Sequence, residues 1–177
     1  LDLVHSDKAL NIDERFFVVE NYREDATHIN SAAGAFFTPV ELAQSMQTEI
    51  CEGAHIVDLC AGIGTLSLLT LINNSPKSLT CVELNLDYVN VGKRILPEAN
   101  WICADALSYE FDRQFDMAIS NPPFGKIKTS DWKGKYTGSE FEYKVYDKAS
   151  QIADFSAFII PAKSAGFIQS GRSGRVE

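Results

Sequence analysis

Long apolar runs are the first thing this sequence lacks. No stretch of about 18 consecutive apolar residues occurs, so no membrane-spanning helix is predicted and no membrane is expected as a partner. The first residues also lack the charged-then-apolar pattern of a secretory signal peptide.

Cysteines in metal-binding spacing are also missing. The four cysteines, Cys51, Cys60, Cys81 and Cys103, form no pairs at zinc-ligand distances, and three lie in or beside predicted core strands. A cysteine in such a position acts as a small apolar residue. The sequence therefore predicts no metal site, and a reducing cytoplasm is the simplest location.

Positive charge is scarce overall and unevenly placed. The chain has 16 Lys and Arg against 24 Asp and Glu, a net charge of −8, which argues against a protein that coats nucleic acid. Residues 1–120 hold 7 basic and 18 acidic residues, whereas residues 121–177 hold 9 and 6. Four lysines, Lys126, Lys128, Lys133 and Lys135, lie in the basic part, where they predict contact with phosphate.

The length of 177 residues and the alternation of short apolar runs with helical patterns predict an α/β chain with a mostly parallel sheet and helices on both faces. Residues 1–30 are predicted to form an N-terminal helical segment, with a helix over 12–22, and residues 31–177 the catalytic domain. The predicted strands cover 54–59, 78–84, 101–106, 115–120 and 155–161. Helices are predicted from residue 39 to about 50 and over 66–72, 87–96 and 140–153.

The segment Asn121-Pro122-Pro123-Phe124 directly follows the predicted fourth strand. In a parallel sheet, ligands bind beyond the carboxyl ends of the strands. Two prolines stiffen the turn and leave carbonyl acceptors free, while Phe124 offers a flat aromatic face. Acceptors beside an aromatic ring suit a planar, amino-bearing group such as a nucleobase.

Acidic residues are predicted at the same level at the ends of the first three strands: Asp58, Glu83 and Asp105. Gly62 and Gly64, after the first strand, allow a ligand to approach the backbone closely. The pattern Gly-x-Gly-x-x-Ser is not the dinucleotide fingerprint, because position 67 is Ser. Glu83 is placed to bind a ribose diol, and the three carboxylates disfavour a polyphosphate. They suit a nucleoside that carries an amine and a positive sulfur.

A helix start is predicted at Thr38-Pro39. Thr38 is a favoured N-cap, Pro39 suits the first helical position, and Glu41 completes a capping box. Capping does not explain the two aromatic residues, Phe36 and Phe37, that precede it.

The order of these motifs resembles S-adenosylmethionine-dependent adenine amino-methyltransferases. Phe-Thr-Pro at 37–39, Asp58-x-x-x-Gly62-x-Gly64, Glu83, Asp105 and Asn121-Pro122-Pro123-Phe124 follow the gamma order of DNA adenine methyltransferases and type I modification subunits. The resemblance covers about residues 32–165 and implies a Rossmann-like class I methyltransferase fold. It also implies S-adenosylmethionine as cofactor and nucleic acid as partner, with DNA favoured over RNA.

Residue roles follow from the same resemblance. The residues implied to bind the cofactor are Phe37, Thr38, Asp58, Ala61, Gly62, Gly64, Glu83, Leu84, Asp105, Ala106 and Asn121. Among them, Asp58 and the 61–64 backbone would hold the methionine moiety, Glu83 the ribose and Asp105 the adenine amine. The catalytic set is Asn121, Pro122, Pro123 and Phe124. Asn121 and the Pro122 carbonyl would accept from the flipped target amine, and Phe124 would stack on the base.

The chain departs from that family in having no segment long enough for a separate target-recognition domain, and its last strands look short or missing. A fragment, a separate specificity subunit and an enzyme of loose specificity would each explain this. The alternative functions are a methyltransferase acting on an adenine or guanine amine of RNA or on a protein glutamine, and a non-catalytic methyltransferase-like subunit.

Overall fold

A computed structural model describes residues 2–5, 8–22, 37–129, 132–162, 168–169 and 173–174. Five parallel strands form one sheet in the order β3-β2-β1-β4-β5. These strands are β1 (His55–Leu59), β2 (Ser78–Glu83), β3 (Asn100–Cys103), β4 (Phe115–Ser120) and β5 (Ala153–Phe158). The helices are α1 (Asp2–His5), α2 (Ile12–Asn21), α3 (Val40–Met46), α4 (Thr65–Asn74), α5 (Leu86–Ile95) and α6 (Phe141–Ile152).

Helices cover both faces of this sheet. One large core cluster joins Ile56 of β1 to buried residues of α2, α3, α4 and α5. A second cluster joins the neighbouring β1 residues Val57 and Leu59 to Val145 and Ala149 of α6. Side chains on a strand alternate between faces, and apolar residues on both faces explain the short apolar runs in the sequence. The Rossmann-like architecture predicted from the sequence is therefore confirmed.

β1 occupies the centre of the sheet and pairs with β2 and β4. The strand order changes direction between β1 and β4, because the chain continues from β1 to β2 on one side and from β4 to β5 on the other. In open α/β sheets a ligand crevice forms at this switch point, beyond the carboxyl ends of the strands.

The predicted capping box at the start of α3 is wrong. The helix begins at Val40 with Pro39 in the cap position, and no side chain caps it. Thr38 is therefore not the N-cap; its hydroxyl accepts a hydrogen bond from another part of the chain. The helix also ends earlier than expected, at Met46, and a 3-10 turn follows over Gln47–Glu49.

The chain ends add little to the sheet. The helix predicted over 12–22 is confirmed as α2, which a capping box between Asn11 and Glu14 begins. β6 (Ile168–Gln169) and β7 (Ser173–Gly174) pair with each other in antiparallel orientation, separately from the five-stranded sheet. Phe36 and the prediction for it lie outside the described residues. No helix in the described part of the chain is long and apolar enough to cross a bilayer.

Candidate active site

Glu83 and the glycine turn after β1 are joined directly. The Gly62 amide donates to Glu83 Oε2 at 2.9 Å, and the Asn85 amide donates to Oε1 at 2.8 Å. Burial raises the pKa of the Glu83 carboxyl, although the hydrogen bonds from these backbone amides oppose the increase. A carboxylate has about four acceptor positions, and the backbone hydrogen bonds to Glu83 come from Asn85, Gly62 and Leu84, so Glu83 retains the capacity to accept from a ligand hydroxyl.

Asp58 lies deeper, with 1% of its surface exposed. Ser67 of α4 donates to Asp58 Oδ2 at 2.7 Å, whereas Oδ1 is buried and has no hydrogen-bond partner. Burial raises the pKa of Asp58 to about 7; the Ser67 hydrogen bond opposes this increase and the charge of Glu83 adds to it. Ser67 was not predicted as a site residue. Its position in Gly-x-Gly-x-x-Ser was the available signal.

The three predicted carboxylates come together around Cys60, but not at one level. Burial raises the pKa of the Cys60 thiol, and the charges of Glu83, Asp58 and Asp105 raise it further. Asp58 pairs with Cys81, two residues before Glu83, whereas Glu83 pairs with Cys103, two residues before Asp105. The prediction of a common level is therefore wrong for Asp58 and Glu83, which are offset by two residues, roughly 6–7 Å along the strand direction. Asp105 lies in the turn beyond the end of β3.

The glycine turn is closely packed from two sides. Gly62 and Gly64 have φ angles of 58° and 92°, a region that favours glycine. A Cβ atom at Gly62 would lie 3.3 Å from the Phe37 ring, and one at Gly64 would lie 3.0 Å from the indole of Trp101. Phe37 itself packs edge-on against Tyr22 and Tyr88. The sequence did not indicate that Trp101 supports this turn.

Asn121 and Thr38 meet beyond the end of β4. Asn121 Nδ2 donates to Thr38 Oγ1 at 3.0 Å, which leaves Asn121 Oδ1 as a buried acceptor with no partner. The preceding residue, Ser120, donates its hydroxyl to the Leu59 carbonyl and so ties the end of β4 to β1. The amide of Asn121 is thus fixed with its nitrogen toward Thr38 and its oxygen unpaired.

The remaining predicted site residues differ in exposure. Pro122 is buried, and Pro123 and Phe124 are half-buried. Leu84 is 70% exposed and Ala106 is buried in the core cluster on the α6 face of the sheet. Asp105 Oδ1 accepts from the Leu107 amide at 2.9 Å, and the Ala61 amide donates to the Val82 carbonyl at 2.9 Å.

These features fit S-adenosylmethionine. Asp58 Oδ1 and Asn121 Oδ1 are buried acceptors that lack donors, an arrangement that costs free energy until a donor arrives. The ammonium group of this cofactor can donate to Asp58 Oδ1, whereas Asn121 Oδ1, beyond the end of β4, is left for a second, amine-bearing ligand. Glu83 can still accept from a ligand hydroxyl, and the glycine turn offers backbone without side chains. Because both unpaired oxygens are buried, neighbouring side chains must shift slightly before a ligand can reach them. Within the described ranges, no group of three or more His, Cys, Asp or Glu side chains is arranged to hold a metal ion.

The doubly wound sheet, the glycine turn after β1, the acidic end of β2 and the Asn-Pro-Pro-Phe segment after β4 define the class of S-adenosylmethionine-dependent methyltransferases. The profile of the methyltransferase small domain family matches residues 38–133, more than half of the chain, which belongs to this family. S-adenosylmethionine is accordingly the cofactor of this chain.

Comparison with a solved structure supports the fold. A putative RNA methyltransferase from Pyrococcus horikoshii superposes with a TM-score of 0.62 at 21% sequence identity. The match covers 85% of this chain and 75% of that one. At this level of identity the likeness establishes the fold alone.

Two curated relatives indicate different substrates. A tRNA1(Val) (adenine(37)-N6)-methyltransferase of Aliivibrio fischeri strain MJ11 is 30% identical over 111 residues, or 59% of this chain. A release factor glutamine methyltransferase of Bacillus anthracis is 28% identical over 89 residues, or 47% of this chain. The chain spans 47% of the first relative and 31% of the second. Neither relative is named as a DNA methyltransferase. These relatives therefore do not support the expected specificity for DNA or a role in restriction-modification.

Proposed function

We propose that this protein transfers a methyl group from S-adenosylmethionine to the exocyclic amine of adenine in RNA. The observation that carries the proposal is the Asn121 amide, whose oxygen has no partner while its nitrogen is held by Thr38. An amide fixed in this way presents an acceptor, and an exocyclic amine has two N–H donors to meet such acceptors. The tRNA adenine methyltransferase relative favours RNA over the DNA that the motif order suggested.

The cofactor supplies an electrophilic methyl group on a positive sulfur. The chain's contribution is to hold the nucleophile: Asn121 Oδ1 and the Pro122 carbonyl accept the two amine hydrogens. This turns the nitrogen lone pair out of conjugation with the ring and toward the methyl group. Held by Asp58 and Glu83, the cofactor would supply its methyl group to this nitrogen and leave as the neutral thioether, and one amine proton would pass to solvent. Positioning, rather than a strong base, provides the acceleration.

Substrate recognition by the half-buried Phe124 completes the proposal. Its ring follows the two prolines directly, so a base held by Asn121 lies next to an aromatic face. Stacking of a base on an aromatic side chain contributes about 1–3 kcal/mol and does not require a particular sequence. Glu83 and Asp105 are proposed to bind the ribose and adenine of the cofactor.

The test compares methyl transfer from labelled S-adenosylmethionine to RNA, DNA and protein pools. We expect label in RNA, recovered as N6-methyladenosine after digestion, and its loss in Asn121→Ala with cofactor binding retained. Asn90→Ala, on the exposed side of α5, is the matched control and should stay active. Label only in DNA, in protein or in guanosine would overturn the proposed substrate. Unchanged activity of Asn121→Ala would overturn the mechanism.

Glutamine methylation is the second candidate, because the release factor methyltransferase is also a relative. A glutamine side-chain amide presents the same planar NH₂ group to Asn121 and Pro122. The protein pool in the same experiment detects it.

A further inference from the structure

In the segment 125–138 after the Asn-Pro-Pro-Phe motif, the described residues 125–129 and 132–138 alternate between exposed and partly buried. Its four lysines, Lys126, Lys128, Lys133 and Lys135, are all exposed. The described residues adjacent to them, which are Ile127, Thr129, Trp132, Gly134, Tyr136 and Gly125, are all partly buried. The four lysines therefore face outward, and the described residues beside them face the protein. We name residues 125–138 the lysine arm.

Buried polar residues of α6 hold this arm in place. The Gly125 amide donates to Glu142 Oε2 at 2.8 Å, and Lys144 Nζ donates to Thr129 Oγ1 at 2.7 Å. Near the other end of the arm, the Tyr136 amide donates to Asp147 Oδ2 at 2.7 Å. Charged side chains are rarely this buried unless they are paired, and Glu142, Lys144 and Asp147 are 2%, 9% and 7% exposed. Three such anchors along one helix fix the path of the arm.

Packing reinforces these anchors. Trp132 is half-buried against the core cluster on the α6 face, and its Nε1 donates to the Tyr136 carbonyl at 2.8 Å. A Cβ atom at Gly134 would overlap both the Trp132 indole and the Asp147 carboxylate. Only glycine therefore allows the arm to lie so close to α6. The arm is a built surface rather than a solvated loop.

No salt bridge in the described part of the chain involves a lysine of the arm. The salt bridges found there join Lys8 to Glu14 and Arg15 to Glu98. With its one acidic residue, Asp131, the arm carries a net charge of +3 in a chain whose total is −8. An anionic partner is attracted here and repelled by most of the remaining surface.

We propose that the lysine arm is a preorganised phosphate-binding surface that contacts the RNA backbone beside the target nucleotide. This rests on the proposed function for the identity of the nucleic acid. Lys126 lies two residues beyond Phe124, so phosphates that flank a base stacked on Phe124 come close to the arm. Phosphate contacts set the position and orientation of a nucleic acid without reading its sequence. Because the arm is already ordered by α6, binding does not incur the full entropic cost of fixing it.

The experiment measures the affinity of the full chain for unmodified total transfer RNA as a function of salt concentration. Each phosphate neutralised by a lysine contributes about −0.7 to −0.9 to the slope of log affinity against log salt. The double variant Lys133→Gln/Lys135→Gln should therefore flatten the slope by about 1.4–1.8, and Lys126→Gln/Lys128→Gln by a similar amount. The matched control is Lys77→Gln/Lys93→Gln, which removes the same charge from exposed positions before β2 and on α5.

An unchanged slope in the control, together with flattened slopes in both arm variants, supports the proposal. Equal flattening in all three variants would show a general charge effect and overturn it. The proposal is also overturned if the wild-type chain does not bind the RNA. Methyl transfer measured on the same samples separates the two proposals. Arm-dependent binding without transfer rejects the proposed function alone, and transfer with arm-independent binding rejects the arm alone.

Discussion

Thr38 Oγ1 accepts a hydrogen bond from Asn121 Nδ2 at 3.0 Å, although 83 residues separate the two in the sequence. The bond fixes which end of the Asn121 amide is free to accept. In Thr38→Val the acceptor is lost and the amide can rotate, so its nitrogen can turn toward the target amine. We expect kcat to fall by roughly 10- to 100-fold, the scale of a misplaced reacting group, with little change in the KM for S-adenosylmethionine.

Thr38→Ser is the control, because it keeps the hydroxyl and removes only a methyl group. It should retain most of the activity in the same steady-state assay. If Thr38→Val and Thr38→Ser lose activity equally, Thr38 acts through packing and not through the amide of Asn121.

The same contact shows what sequence reasoning could and could not find. Strand ends and the carboxylates near them follow from short apolar runs, so the sequence places Asp58 and Glu83 on the correct strands, whereas Asp105 lies in the turn after β3. Thr38 was assigned to a local capping box because the favoured N-cap pattern is local. Its actual partner, Asn121, follows the end of β4, and no local pattern contains that information. Likewise, the buried charges of α6 read as an ordinary exposed helix face until the lysine arm is seen to cover them.

The second prediction concerns the pH dependence of cofactor binding. Burial raises the pKa of Asp58 to about 7, so this carboxyl is largely protonated at about pH 6. A ligand ammonium group binds the ionised form better, so binding should release a proton and tighten as pH rises. Affinity should increase roughly fivefold from about pH 6 to about pH 7. It should level off above this, where the ligand's own amine loses its proton at about 7.7–8.0. Calorimetry in buffers of different ionisation enthalpy measures both quantities.

Two variants identify the group responsible. Asp58→Asn should remove this pH dependence, whereas Ser67→Ala removes the hydrogen bond that opposes the raised pKa and should shift the profile to higher pH. Burial also raises the pKa of Glu83, so a pH dependence of binding that remains in Asp58→Asn and disappears in Glu83→Gln would assign the proton to Glu83.

The stability of the cofactor-free protein should depend on pH in the opposite direction. In the unfolded chain Asp58 ionises near its ordinary pKa of 3.8, whereas the native state keeps the proton, so the free energy of unfolding falls as the pH rises from about 4 to 7.

The third prediction tests the support beneath the glycine turn. Gly92 of α5 is buried, and a Cβ atom there would overlap the indole of Trp101, which also lies against Gly64. Alanine normally favours a helix by about 1 kcal/mol over glycine, but overpacking of a core costs about 1–3 kcal/mol. We expect Gly92→Ala to lower the free energy of unfolding in urea and to weaken cofactor binding as Trp101 presses on the turn. Adding Trp101→Leu should restore stability. Failure of the double variant to recover would mean that α5 itself, and not the indole, limits the space.

The last prediction concerns the turn that joins the target-base site to the lysine arm. Gly125 has a φ of 92°, its amide donates to Glu142, and its carbonyl accepts from the Phe141 amide at 2.8 Å. No atom would contact a Cβ at Gly125, so Gly125→Ala introduces backbone strain alone, on the order of 1–3 kcal/mol. Relaxing that strain moves Phe124 and the arm together, so kcat and RNA affinity should both fall while the dissociation constant for S-adenosylmethionine stays unchanged.

Gly53 provides the matched control, since it also has a positive φ and open space for a Cβ, and its amide donates to the Asn74 carbonyl away from the site. Gly53→Ala should reduce thermal stability by a similar amount and leave turnover of the folded enzyme intact; an equal loss of turnover in both variants would show that strain acts only through global stability.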